Sequence, residues 1–382
     1  KFIRYTKKMK VSKKILNLET ETAFAVLAKA NKLISEGKDI INLGIGQPDF
    51  PTPINIQEAA IKAIKESSHK GAYYPDLLVN RLKSMISERH SLDSKNITIS
   101  AGSTQALSYL VQVKSRENPI ATTQLTWDSH LGYAENIGGT VIRVDNGENL
   151  DINLKAMESI AENDISSVSI VNPNNPTGLL LDSNELRNSV INMSKHTLVI
   201  VDEAYNEITD NPDDNSMIDL VKDGYNVAVS RTFSKIYGLA GERIGYIIAQ
   251  PDIIDSIKKN GSGEFSVSMG GLAGAIASYN DETFLKFSKS KIIEAREMVY
   301  EGITSNGLSA LPSETNFIFV NLGDIDADDF RDEMLKRNVL IRGKYGNFNN
   351  WSRVSMGNIE DVQRYVDAMP EVLDNLNTTV IT

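Results

Sequence analysis

The sequence predicts an α/β protein, with a mostly parallel seven-stranded sheet flanked by helices and a smaller α+β domain. Two observations predict it. From about residue 97 to 250, short apolar runs alternate with stretches of helical spacing, the pattern of strands joined by helical crossovers. Several of those runs are almost continuously apolar, as parallel strands covered on both faces must be. The candidate strands are 97–100, 120–123, 140–144, 167–171, 198–201, 227–230 and 244–249.

The flanking elements follow from the same patterning. Phe24, Val26, Leu27, Ala30, Leu33 and Ile34 recur at helical spacing, and Gly37 ends that segment, so 20–37 is a helix. A short strand at 40–43 leads into the turn-rich run 44–53, and helical patterning returns at 54–66 and 78–90. Segment 259–272 is a loop entering a helix. A long helix at 282–304 precedes an α+β tail, with strands at 316–320, 339–342 and 353–355 and helices at 327–337 and 359–374. The expected division is a large domain over 51–284. A small domain combines 1–50, including an N-terminal arm, with 285–382. The long helix bridges the two.

Composition bounds the function. A chain of 382 residues is too long for one ordinary core. Its 41% hydrophobic and 24% charged residues are those of a soluble globular protein. The net charge of -10 argues against non-specific nucleic-acid binding, which needs a basic surface. The absence of cysteine excludes disulfides, thiolate nucleophiles and zinc–thiolate sites. His69, His90, His130 and His196 lack ligand-like spacing, so no metal site is expected. No run reaches the ~18 apolar residues of a membrane span. The basic N-terminus lacks the apolar core of a secretory signal, and a cytoplasmic location is expected.

Ligands of open α/β sheets bind beyond the carboxyl ends of strands, and two chemically informative residues fall there. Val199-Ile-Val-Asp202 is an apolar strand ending in a carboxylate. The strand that begins at Val227 is followed by Lys235. A lysine of lowered pKa can form a Schiff base with a carbonyl cofactor, and an aspartate can keep a pyridinium nitrogen protonated. Alone, such residues more often cap helices or face water.

Three blocks stand in order: Asn172-Pro-Asn-Asn-Pro-Thr-Gly178, Asp202-Glu-Ala-Tyr205, and Ser230-Arg-Thr-Phe-Ser-Lys-Ile-Tyr-Gly-Leu-Ala-Gly-Glu-Arg-Ile-Gly245. With them the chain, from about 20 to 370, resembles the class I/II aminotransferases, fold type I of the pyridoxal-phosphate enzymes. The resemblance implies pyridoxal 5'-phosphate as cofactor and a role for each matching residue. Lys235 carries the cofactor and shuttles the proton at the substrate Cα. Asp202 pairs with the pyridinium nitrogen. Asn175 and Tyr205 hydrogen-bond the ring oxygen. Thr232, Ser234 and Arg243 bind the phosphate, helped by the backbone of Gly102, Ser103 and Thr104 where a helix opens after a strand. Trp127 stacks on the ring. Arg353 grips the substrate carboxylate in a bidentate fork, with the Gly46 loop beside it. Tyr74 reaches the phosphate from a neighbouring subunit, which implies a homodimer with shared active sites.

Simpler readings stand beside these. Trp127 and Tyr205 can be core packing, and His130 is either a residue behind the stacking tryptophan or a surface histidine. Ser266 and Ser268 lie where relatives place a phosphate ligand from the partner, although the sequence around them departs from the family pattern. Gly238-Leu-Ala-Gly241 follows Lys235 rather than opening a Rossmann unit, so it is no dinucleotide loop.

The resemblance leaves the substrate open. Thr104 stands where some aspartate enzymes have a lysine that reads a side-chain carboxylate. Asp128 adds negative charge near the stacking tryptophan. Both count against a dedicated acidic substrate. Tyr74-Pro-Asp76, and Val339-Leu-Ile-Arg342 followed by Arg353, resemble histidinol-phosphate aminotransferases, which use an arginine near position 342 for the substrate phosphate. The Leu43-Gly-Ile-Gly46 run instead resembles the aspartate and aromatic branch. Histidinol phosphate, an aromatic or broad amino acid, and a specialised biosynthetic donor all stand. The fold also hosts elimination, cyclisation and oxidation as alternatives to transfer of an amino group to a 2-oxo acid.

Overall fold

A computed structural model describes residues 22–46, 48, 50–67, 76–115, 118–261 and 263–379. After strand β1 (Ile41–Asn42), the seven expected strands appear in place. They are β2 (Ile97–Ala101), β3 (Ile120–Thr123), β4 (Val141–Val144), β5 (Ser167–Val171), β6 (Leu198–Asp202), β7 (Val227–Thr232) and β8 (Ile244–Ala249). They form one sheet in the order β2-β8-β7-β6-β5-β3-β4. Only β8 runs against its neighbours, β2 and β7.

The apolar runs bury both faces, and strand alternation divides them cleanly. Val199, Val201, Val227 and Val229 face one cluster, with Leu186 and Val190 of helix Ser183–Ser194. Leu198, Ile200 and Ala228 face the other, with Leu107 and Leu110 of helix Gly102–Lys114 and Ile254 and Ile257 of helix Pro251–Asn260. Each buried valine, leucine or isoleucine contributes ~1.5–3 kcal/mol over its exposed state. Three strands run past their expected ends. β6 extends to Asp202 through the parallel pair Asp202–Ser230, while β2 extends to Ala101 and β7 to Thr232 through their antiparallel pairing with β8.

The tail forms a second sheet, ordered β12-β10-β9, from β9 (Ser309–Ala310), β10 (Phe317–Asn321) and β12 (Trp351–Ser355). The expected strand 339–342 is shorter. Only β11 (Val339–Leu340) is regular, and it pairs with β1 in parallel. Arg342 instead makes an isolated antiparallel bridge to Arg353. Helix Glu282–Ser305 spans 24 residues and is capped by Asp281, whose side chain accepts the Phe284 amide at 3.0 Å. Among the described residues, no helix is long and apolar enough to cross a membrane, and no group of three His, Cys, Asp or Glu could hold a metal ion.

Candidate active site

The ladder register puts the chemically informative residues at one edge of the large sheet. β5 ends before Asn172, β6 ends at Asp202, β7 ends three residues before Lys235, and β2 ends where helix Gly102–Lys114 begins. These four strands run in one direction, so their carboxyl ends share that edge.

At one end of the site, backbone and side-chain donors converge without an acid to answer them. Gly102 N donates to Arg243 O at 3.0 Å. A Cβ on Gly102 would sit 2.1 Å from Arg243 Nη2, and one on Gly245 would sit 2.2 Å from Ser103 N. Both positions need glycine because the guanidinium and the helix start press against them, and Gly102 also has φ +70. The helix has no side-chain cap at Ala101. Arg243 Nη1 donates to Ser234 Oγ at 3.3 Å and to Ala240 O at 2.6 Å. Thr232 Oγ1 donates to Ser234 Oγ at 3.0 Å. Burial pushes the Arg243 pKa down, and no carboxylate pairs with it among the described residues. An uncapped helix N-terminus beside such a cation is an anion cradle.

In the middle of the site, Asp202 is only 3% exposed. Ser230 Oγ donates to its Oδ1 at 2.9 Å. Burial pushes its pKa up to about 6. Lys235 Nζ donates to Gly46 O at 2.7 Å and lies 5.1 Å from the centre of the Tyr205 ring. Asn175 Nδ2 donates to the Tyr205 hydroxyl at 3.3 Å, and burial pushes that phenol well up. The two adjacent asparagines divide their work. Asn174 ties the loop together through Leu125 O and Thr177 Oγ1, while Asn175 faces the site.

Trp127 is half-buried and stacks on His130, with centroids 5.1 Å apart. His130 is fully buried, with Nε2 3.0 Å from Ser169 Oγ. Burial pushes its pKa down to about 3, so the ring is neutral. It supports the tryptophan, and the surface alternative is excluded. The expected charge of Asp128 is also corrected. Arg143 donates to its Oδ2 from Nε at 3.2 Å and from Nη2 at 2.7 Å, so the carboxylate is paired.

At the other end lies Arg353, only 3% exposed. Its Nη1 donates to Asn175 Oδ1 at 2.8 Å and its Nη2 to Gly44 O at 2.9 Å. The guanidinium carbon lies 4.9 Å from the centre of the Phe317 ring. Its Nε has no hydrogen-bond partner, and no carboxylate pairs with it among the described residues. Arg342 sits directly opposite on the antiparallel bridge, with its guanidinium 4.8 Å from the centre of the Tyr345 ring. Directly paired residues share a face, so both arginines approach the same side.

Gly46 joins the group through its carbonyl. A Cβ there would touch Phe317 at 3.4 Å. Thr104 lies in the first helical turn, where its carbonyl accepts the Ser108 hydroxyl at 2.6 Å. Ser268 caps helix Met269–Tyr279, and Ser266 Oγ donates to Gln105 Oε1 at 2.7 Å. Tyr74 lies outside the described residues. Sequence reasoning missed Ser230, Ser169 and Phe317. Ser230 carried a signal, a polar residue inside an apolar strand.

These residues fit pyridoxal phosphate. The glycine-lined anion cradle suits a phosphate, buried Asp202 suits a ring cation, and Lys235 Nζ reaches the Gly46 carbonyl beside the Tyr205 ring, where an amine can meet a carbonyl cofactor. The comparisons agree. The family model described as Aminotransferase class I and II matches residues 38–369. Histidinol-phosphate aminotransferase of Aliarcobacter butzleri is 29% identical over 347 residues, 89% of this chain and 92% of that protein. The crystal structure of histidinol-phosphate aminotransferase from Sinorhizobium meliloti in complex with pyridoxal-5'-phosphate superposes with TM-score 0.83 at 25% identity, covering 98% of this chain and 99% of that one. Aspartate aminotransferase from Thermus thermophilus shares the fold, with TM-score 0.83 at 19% identity over 95% of this chain and 100% of that one. The chain belongs to the class I and II aminotransferases and is a pyridoxal-phosphate-dependent enzyme of fold type I.

Proposed function

We propose that this aminotransferase takes its amino group from a donor bearing a phosphate, histidinol phosphate being the best-supported choice, and passes it to a 2-oxo acid. One observation carries the choice. Arg342 and Arg353 are 8% and 3% exposed and stand directly opposite each other on one face. Arg353 has no acid among the described residues, a buried cation of that kind is costly unless a ligand supplies the anion, and a phosphate supplies it beside a second arginine on the same face. The names of the relatives point the same way.

The residues take the following roles. Bound pyridoxal phosphate supplies an electron sink that lets the substrate Cα–H bond break. Lys235 anchors the cofactor, and its freed Nζ takes the proton from Cα and returns it on the product side. Asp202 holds the ring nitrogen protonated. Asn175 and Tyr205 hold the ring oxygen, and Trp127 covers one face of the ring. Thr232, Ser234, Arg243 and the amides of Gly102, Ser103 and Thr104 hold the phosphate. Arg353 and the Gly46 loop bind the carboxylate of the 2-oxo acid. Tyr74 serves the site of a partner subunit in a cytoplasmic homodimer. The β1–β11 pairing supports a small domain built from 1–50 and 285–382 around a large domain at 51–284.

Steady-state kinetics with histidinol phosphate and 2-oxoglutarate tests the reading. Parallel double-reciprocal lines are expected, the mark of two separate half-reactions. Arg342→Ala should raise KM for histidinol phosphate roughly 10- to 100-fold, the loss of a charge-assisted hydrogen-bond pair. It should leave KM for phosphate-free histidinol unchanged. Turnover of aromatic amino acids without turnover of histidinol phosphate would overturn the donor, and a sequential rate law would overturn the transfer.

A further inference from the structure

Ser230 occupies a position that packing alone would fill with alanine. It lies in the middle of the large sheet, fully buried, in a strand whose other residues before it are Val227, Ala228 and Val229. A buried hydroxyl costs free energy unless it is hydrogen-bonded. Among the described residues its side chain makes one hydrogen bond, to Asp202 Oδ1 at 2.9 Å. The register directs that bond, since Asp202 and Ser230 are direct partners on the β6–β7 ladder. The backbone tightens the same junction. Glu203 N donates to Ser230 O at 2.9 Å, and Asn172 N donates to Asp202 O at 3.0 Å. Asp202 forms no ion pair with a lysine or arginine among the described residues. The Ser230 hydroxyl on the neighbouring strand is thus the side-chain hydrogen bond that directs its carboxylate, alongside the Ala204 backbone amide of its own chain segment.

We propose that Ser230 is a positioning residue for the cofactor. By holding Asp202 Oδ1 from the side, it sets the plane in which the carboxylate meets the ring nitrogen, and it keeps that carboxylate ionised in a buried site. Ser230 does not touch the cofactor itself, so its influence passes entirely through Asp202. The proposal rests on the assignment of Asp202 to the ring nitrogen. It makes a narrow demand: loss of the hydroxyl must weaken recognition of the nitrogen and of nothing else in the cofactor.

The test is equilibrium binding to the apoenzyme of pyridoxal phosphate and of its 1-deaza analogue, in which carbon replaces the ring nitrogen. Ser230→Ala should raise Kd for pyridoxal phosphate about 10-fold, the worth of one hydrogen bond to a charged group. It should leave Kd for the deaza analogue within about twofold, since the wild-type carboxylate has nothing to gain there. The isosteric pair Ser230→Thr and Ser230→Val covers the case in which the alanine variant fails to fold. The threonine variant should match wild type, and the valine variant should match alanine. Equal losses for both ligands, or no loss for either, would overturn the proposal. Asp202→Asn separates the two levels. If it discriminates the ligands and the Ser230 variants do not, Ser230 has no positioning role. If Asp202→Asn binds both ligands as wild type does, the assignment of Asp202 fails and takes the proposal with it.

Discussion

Two arginines are buried to nearly the same depth in this protein and live in opposite surroundings. Arg231, at 5% exposure, lies among acids. Its Nη2 is 2.6 Å from Glu203 Oε2, its Nη1 is 2.8 Å from Glu207 Oε1, and the Ser216 hydroxyl accepts from it at 3.0 Å. Arg353, at 3% exposure, has a carbonyl, an amide oxygen and the face of Phe317, with no acid among the described residues. Burial alone therefore marks neither residue as functional. The missing counter-charge does, because a buried cation without an anion is costly unless a ligand supplies one. Asp202 is the acidic counterpart of Arg353. It too is buried and is answered by a hydroxyl rather than by an arginine or lysine ion pair.

The contrast can be broken most sharply at Arg231. Arg231→Leu strands Glu203 and Glu207 without their cation, and Glu203 is wholly buried. The expected loss is about 3–5 kcal/mol of folding stability, read by denaturant melts of the apoenzyme. A loss under about 1 kcal/mol would show that the Arg231 network is as dispensable to the fold as Arg353 is held to be.

Asp202 comes next, through pH. Burial raises its folded pKa from 3.8 to about 6. A raised carboxyl means that the folded apoenzyme holds the proton more tightly than the unfolded chain. This contribution is fully present below pH 3.8 and is lost as pH rises through about 6. The residual cost at neutral pH is on the order of 3 kcal/mol. Lys235 and the Ser230 hydrogen bond already act to lower this pKa, and Glu203 acts to raise it. Asp202→Asn should therefore make the apoenzyme more stable at pH 7.5 and should change little at pH 4. Melts of both proteins across that range measure the difference directly. Equal stabilities at both pH values would remove the counterpart from the comparison.

The smallest expected effect sharpens the functional side. Arg353→Lys keeps the charge and loses the planar fork. KM for the 2-oxo acid should rise roughly 30-fold, about 2 kcal/mol, with folding stability and cofactor affinity unchanged. A stability loss like that of Arg231→Leu would make Arg353 a structural arginine as well.

Much of the fold was legible because strand runs in a doubly covered sheet must be apolar on both faces. Ile97, Val199, Val227 and Ile244 stand in such runs, and each falls inside its expected strand. The tail was less legible at Arg342. Val339 to Arg342 has uniform strand character, and only the pairing with β1 stops the regular element at Leu340. In the site, local motifs carried the proposed cofactor end, since Thr232, Ser234, Lys235 and Arg243 lie within one short stretch of chain. The proposed substrate end is assembled from afar. Arg353 meets Asn175 across 178 residues and Gly44 across 309. Asp128 shows the same limit. Its charge was visible in the sequence, but the Arg143 that pairs with it was not tied to it by any local spacing.

The sequence by itself determined the α/β class, the positions of the sheet strands and, through its motifs, pyridoxal phosphate as the cofactor. Periodicity and motif spacing are local properties, and they survive in one dimension. Tertiary structure alone decided which buried charges are answered and which are left open. It joined Arg231 to Glu203 and left Arg353 facing an amide. It turned Asn175 into the site while Asn174 became a loop tie, and it set Ser230 against Asp202. Those outcomes depend on strand register and on which segments meet across hundreds of residues. The electrostatics of each buried group is settled only when its neighbours are in place.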